Sequence, residues 1–185
     1  ILHRLLRSCV NLMILRSLLS RVRQGRSIKD KYRALIASLL SPIVSPERNT
    51  FARGLLMYAH EALFYVPDYN ALMVIDETYE HEIWDLISHE LRPGDVFLDV
   101  GAHIGKYTIP TAIRGSIVIA VEPHPLIFRL LVKNLHLNAV RSVIPCNVAA
   151  YSYDGEVMLW ESQESGRHSV YFKRGKRAIK VPCYC

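Results

Sequence analysis

Half of the chain's 185 residues are hydrophobic and 22% are charged, a composition that excludes disorder throughout and suits one sizeable domain. The formal charge of +6 is local: residues 1 to 33 carry nine Lys or Arg against the single acid Asp30, while residues 34 to 185 hold 14 bases against 16 acids. That footprint excludes a uniformly basic nucleic-acid binder, so no nucleic acid is expected as partner. Cys9, Cys146, Cys183 and Cys185 lack the spacing of a metal site and do not form a disulfide framework, so no metal and a reducing, cytoplasmic setting are expected.

In chain order, Leu2 to Val22 places apolar residues at three- and four-residue steps with Arg4, Arg7, Arg16 and Arg21 between them, predicting a basic amphipathic helix. Arginine interrupts it well before the roughly 20 apolar residues of a membrane span. A second helix is predicted over Lys29 to Leu40, before Pro42 and Pro46. Residues 1–45 thus read as a basic helical extension. It suits an anionic membrane surface, which would make the protein membrane-peripheral, or packing on the domain or a partner chain, and packing is the expectation.

Residues 46–185 read as the main domain. Leu55 to Val66 predicts a strand pair around His60-Glu61, Asn70 to Ile75 a short strand, and Tyr79 to Leu91 a helix capped by Asp76 or Thr78 with Ile83, Trp84, Leu86 and Ile87 as its apolar face. Val96 to Val100 is an apolar run expected as a buried parallel strand, followed by a helix from Lys106 to Ile113. Ile117 to Val121 forms the next strand, Pro125 to Leu137 the next helix and Val143 to Ala150 a third strand. This alternation is that of a doubly wound, Rossmann-like α/β domain. Glu156 to Glu161, Ser169 to Lys173 and Ala178 to Tyr184 then predict an antiparallel part without helices.

Chemistry concentrates where the first parallel strand meets its helix. Gly101 and Gly105 permit a tight turn and close approach of backbone to a ligand, and the following helix start offers free N–H donors. Glu122 closes the second strand 21 positions after Gly101, where an acid can accept bonds from both ribose hydroxyls. A dinucleotide fingerprint would need a glycine at His103. Asp99 beside the turn disfavours a pyrophosphate and suits a ligand bearing an ammonium group, which points to the sulfonium cofactor S-adenosylmethionine.

Tyr79-Glu80, the run from Pro93 to Thr108, Glu122-Pro123-His124-Pro125, Asn134 to Asn138, and Ala149 ahead of Gly155 together resemble the FkbM-type S-adenosylmethionine-dependent methyltransferases, over about Leu63 to Ser169. The resemblance implies a class I methyltransferase fold of which the chain holds the first three parallel strands, with N-terminal helices and an antiparallel C-terminal part. It also implies O-methylation of a hydroxyl on a sugar or other small metabolite. By it, Asp99, Gly101, Ala102, Gly105 and Thr108 line the methionine end of the cofactor, Glu122-Pro123 the ribose and Asn147 the adenine, with Glu80 near cofactor or acceptor. His103 stands where that family shows Asn and belongs to the cofactor loop, and His124 is expected to shape the adenosine pocket. Lys133, Asn134 and Asn138 read as exposed positions and a helix cap. The general base is not identified by sequence.

The chain begins at Ile1 and closes within a strand pattern at Cys185, before that family's later strands, so it is expected to be a piece of a longer enzyme. Two other classes compete: a non-catalytic methyltransferase-like binding or assembly module, and a nicotinamide oxidoreductase, the latter opposed by the missing glycine.

Overall fold

A computed structural model describes residues 14–40, 50–162, 168–173 and 177–185. Within them, residues 14–24 are helical (α1) and Ile28–Leu40 forms α2. The start of the predicted first helix, Cys9, Pro42 and Pro46 lie outside the described residues.

Thr50–Ala59 (β1) and Ala62–Asp68 (β2) pair antiparallel in register Ala59 to Ala62. His60 and Glu61 make the two-residue turn, both at positive φ (47° and 66°), as a primed hairpin turn requires. The next segment differs from expectation: Tyr69–Ile75 is a helix (α3), not a strand. Asp68 starts it by accepting the Ala71 N–H at 2.8 Å, a local cap that outweighs the β-branched content of the segment. Helix α4 covers His81–Glu90, and neither Asp76 nor Thr78 caps it. Asp76 instead is buried and ion-paired to Arg21 at 2.6 Å. Of the predicted apolar face of α4, Trp84 is buried while Ile83 and Leu86 are exposed.

The strands Val96–Val100 (β3), Ile117–Val121 (β4) and Val143–Cys146 (β5) form a parallel sheet in the order β3-β4-β5. Helices α5 (Thr108–Ile113) and α6 (Pro125–Leu137) connect them. Val118 and Ala120 pack with Ile104, Ile109, Leu131 and the hairpin residues Met57 and Phe64 in one core. The expectation that β3 is buried on both faces is not met: Val96, Leu98 and Val100 are 57–63% exposed, because among the described residues this face carries no covering element. The third strand stops at Cys146, and Ala149–Ala150 (β6) joins a separate sheet with Gly155–Glu161 (β7) and Arg177–Tyr184 (β8), in which β6 runs parallel to β8 and β7 antiparallel to it.

Asn134 corrects another expectation, being fully buried rather than exposed. Its side chain accepts the Tyr65 N–H at 2.8 Å and donates to the Ile104 carbonyl at 3.0 Å, while Asn138 accepts the Leu63 N–H and donates to the Leu63 carbonyl. These amides satisfy the free edge of β2 and tie the hairpin to the loop after β3. Among the described residues no helix is long and apolar enough to cross a membrane.

Candidate functional site

At the carboxyl ends of β3 and β4, the loop 101–107 turns over Glu122. Gly101 sits at φ 86° and Gly105 at φ 98°. The two glycines serve different ends. A Cβ on Gly101 would meet nothing within 4 Å, whereas on Gly105 it would lie 2.8 Å from Ile109 Cδ1 and 2.9 Å from Leu131 Cδ1. Gly101 therefore leaves room for a ligand and Gly105 lets the loop pack on its helices. The amides of Gly101 and Ala102 both donate to the Val121 carbonyl, which pins the loop to the end of β4.

Glu122 is buried, and its two carboxyl oxygens each accept one main-chain N–H, Oε2 from His103 at 3.0 Å and Oε1 from His124 at 2.8 Å. Burial pushes its carboxyl up to about 7 against the opposing pull of those two amides, with Asp99 adding a smaller push in the same direction. Each oxygen keeps acceptor capacity for a further donor. Asn147 turns its side-chain amide to the carbonyls of Glu122 and Pro123, at 2.8 and 3.2 Å, and so fixes the chain that carries the carboxylate.

A cleft of about 260 Å³ opens here, lined by Val74, Tyr79, Glu80, Gly101, Ala102, His103, Lys106, Tyr107, Glu122, Pro123 and His168. A larger cavity of about 700 Å³ lies elsewhere, under α1 against Tyr69 and Thr78. The smaller one is the better candidate, because polar groups converge on it at the ends of parallel strands, where ligands of open α/β sheets bind.

The sequence-predicted residues divide accordingly. Glu80, Gly101, Ala102, His103, Glu122 and Pro123 line the cleft. Asp99, Gly105, Thr108 and Asn147 are not among its lining residues. Asp99 and Thr108 are buried and bonded to each other, Thr108 Oγ1 donating to Asp99 Oδ2 at 2.5 Å, and burial raises the Asp99 carboxyl while that bond lowers it. Glu80 occupies the left-handed region at φ 55° and accepts the Tyr107 hydroxyl proton at 2.9 Å.

Sequence reasoning missed Lys106, Tyr107 and His168 as cleft residues. Lys106 and Tyr107 were expected within a helix that in fact begins at Thr108. His168 arrives from beyond β7: its ring stacks on His124 at 4.5 Å, and His124 Nε2 lies 3.0 Å from Glu161 Oε1. No spacing in the sequence joins residues 124, 161 and 168. His103 is buried, and desolvation, with His168 and His124 nearby, lowers its ring to about 4, so it is neutral at pH 7.

Residues 79–159 match the family model of the TRM5/TYW2 methyltransferase domain. The chain is similar to the tRNA(Phe) (4-demethylwyosine(37)-C(7)) aminocarboxypropyltransferase of Pyrococcus horikoshii, at 38% identity over 64 residues, 34% of this chain and 22% of that protein. It is also similar to the tRNA (guanine(37)-N(1))-methyltransferase of Schizosaccharomyces pombe, at 29% identity over 97 residues, 52% of this chain and 20% of that protein. The crystal structure of M. jannaschii TYW2 in complex with AdoMet aligns at 24% identity with a TM-score of 0.40, covering 51% of this chain and 42% of that one. The chain thus spans about a fifth of the length of the curated relatives it matches.

The fold is that of α/β S-adenosylmethionine-dependent methyltransferases, with a parallel sheet. Two expectations are corrected. The FkbM resemblance is overturned, since the matching family model and the relatives are of the TRM5/TYW2 kind. The exclusion of nucleic acid is overturned by relatives whose names give tRNA as what they act on; the argument from charge distribution does not hold as an exclusion.

Proposed function

We propose that this chain carries the cofactor-binding domain of an S-adenosylmethionine-dependent methyltransferase whose acceptor is a base of tRNA, in place of a sugar or small-metabolite hydroxyl. One observation carries the proposal: the stretch that matches the TRM5/TYW2 methyltransferase domain contains Tyr79, Glu80, Gly101, Ala102, His103 and Glu122-Pro123, which line one cleft.

The residues present fit the cofactor. Gly101 leaves open space beside the loop, and Glu122 offers two oxygens with acceptor capacity to the ribose hydroxyls. Asn147 holds Glu122 and Pro123 in place, and the Asp99–Thr108 bond anchors the start of α5 beneath the loop. Bound S-adenosylmethionine supplies a methyl group on a sulfonium whose positive charge is lost on transfer. The protein's share is to hold donor and acceptor in line and to exclude water.

The basic extension gains a use in this setting. Arg16, Arg23, Arg26, Lys29, Lys31 and Arg33 are exposed on and between α1 and α2. The buried Arg21–Asp76 ion pair and a bond from Gln24 to the Ile75 carbonyl dock α1 on the end of α3, three residues before Tyr79. A phosphate backbone is what such exposed bases would hold, and binding of that kind weakens steeply with salt.

The test is transfer of labelled methyl from S-adenosylmethionine to tRNA transcripts, with transcripts altered at guanine 37 and free sugars as controls. Label in the unaltered tRNA, lost on changing guanine 37, is the expected result. Label in sugars alone, or none in RNA from a chain that binds the cofactor, overturns the acceptor.

A further inference from the structure

Beyond the stretch that matches the methyltransferase domain, the chain changes character. Residues 165–185 hold six Lys or Arg and no acid, whereas residues 34–164 hold eight bases against 16 acids. Aromatic residues are interleaved with these cations at Tyr171, Phe172 and Tyr184. Such interleaving is the pattern of a surface that meets both phosphates and bases.

The second sheet turns part of that pattern into a surface. Tyr171 is 69% exposed and Tyr153 50%, and the ring of the half-buried Tyr151 packs on both, with centroids 5.4 Å from Tyr171 and 5.0 Å from Tyr153. Tyr151 in turn packs on the apolar cluster of Val157, Leu159 and Val181, so the rings stand on a fixed base. The backbone under Tyr171 is fixed as well. Ser169 exchanges two main-chain bonds with Trp160 on β7, and its hydroxyl accepts the N–H groups of Tyr171 and Phe172 at 3.2 and 3.0 Å. Arg177 donates from Nε to Glu161 at 2.9 Å while its side chain is 80% exposed, which leaves the terminal amino groups of the guanidinium in solvent.

This surface adjoins the cleft. His168, three positions before Tyr171, lines it, held by the Ser162 N–H on its Nδ1 at 2.9 Å and by its stack on His124. Three residues of chain span at most about 11 Å. Glu161, which holds Arg177, also holds His124.

Rings exposed in a cluster, with a cation beside them, complement nucleotides whose bases are unpaired: the bases stack on the rings and the phosphates meet the cation. A double helix keeps its bases within its own stack and offers the rings nothing. Resting on the RNA-acceptor reading above, we infer that Tyr171, Tyr153 and Arg177 form a docking surface for unpaired nucleotides of the acceptor RNA, next to the cleft that receives the reacting base.

The experiment is fluorescence anisotropy of the whole chain with a labelled, unstructured oligoribonucleotide and with an RNA duplex of the same length. Tyr171→Ala should weaken the single strand by about 5- to 150-fold, the worth of one stacked base, and leave the duplex unchanged. Tyr171→Phe keeps the ring and should bind as the wild type does. Arg177→Gln should weaken the single strand and make its loss of affinity with salt shallower by about 0.7 in logarithmic slope, the share of one phosphate contact. A single strand that binds the wild type and is indifferent to Tyr171→Ala and Arg177→Gln, or equal losses for single strand and duplex, overturns the surface. So does a dimer in sedimentation velocity that Tyr171→Ala dissolves, since the rings would then meet a second copy of the chain. Failure of the wild type to bind either RNA while it still binds S-adenosylhomocysteine overturns the RNA-acceptor reading itself and this inference with it, a result unlike any of the others.

Discussion

The two sides of the cleft are built by different means. On the β4 side, the position of Glu122 follows from backbone: the strand delivers it, two main-chain amides fix its oxygens, and Asn147 fixes the chain on either side. On the α4 side, the position of Glu80 and Lys106 follows from side chains, through Tyr107, Tyr79 and ultimately the Arg21–Asp76 pair that docks α1. Backbone-built geometry follows from the strand–turn–helix pattern and is legible in sequence. Side-chain geometry depends on which distant residues meet.

Variants can pull the two sides apart. The largest effect is expected from Arg21→Ala, which leaves the Asp76 carboxylate buried without its ion-pair partner and should cost about 3 to 5 kcal/mol in urea unfolding. Its ligand affinity should fall through the α4 side, so the loss should be smaller for 5′-methylthioadenosine, which lacks the amino-acid end, than for S-adenosylhomocysteine. Gly105→Ala comes next. It forces a Cβ against Ile109 and Leu131 at positive φ, and a cost of about 1 to 3 kcal/mol with both ligands weakened is expected.

Titration separates the sides without disrupting either. The Glu122 carboxyl is raised from 4.5 to about 7, so the folded state holds a proton that the unfolded state has released across that window. Its contribution to stability is fully present below pH 4.5 and is lost as pH rises through about 7. His60, His103 and His168, each lowered to about 4 chiefly by burial, act in the opposite sense, penalising the folded state as pH falls below 6.5. The difference in unfolding free energy between wild type and Glu122→Gln isolates the first slope. In the same window adenosine-ligand affinity should rise with pH, as the carboxylate becomes available to ribose donors, and Glu122→Gln should flatten the rise. The smallest effect is expected for Tyr107→Phe, which removes one partly exposed bond to Glu80 and should weaken S-adenosylhomocysteine by about 2- to 10-fold, with methylthioadenosine unaffected.

Sequence patterning captured the alternation of β3, α5, β4, α6 and β5, and α6 falls on its predicted boundaries. That Gly101 and Glu122 fall together at one cleft was legible because each closes a parallel strand of the same sheet. Tyr69–Ile75 was misread because four to seven apolar residues suit a strand or a short helix, and the Asp68 cap decides between them. Lys106 was missed because its helix begins only at Thr108, and both it and His168 meet neighbours, Tyr79, Glu80 and His124, that are remote in sequence. The sugar or small-metabolite acceptor is not supported by the relatives, and the glycine turn and Glu122 carry nothing about what receives the methyl group.

The most direct test is calorimetric titration of the chain with S-adenosylhomocysteine, with NAD as the competing nucleotide, on the wild type and on Glu122→Ala. Binding of S-adenosylhomocysteine but not NAD, weakened by about 10- to 100-fold in the variant through loss of charge-assisted bonds to the ribose, is the predicted result. Binding of NAD, or an affinity for S-adenosylhomocysteine indifferent to the loss of Glu122, would contradict it.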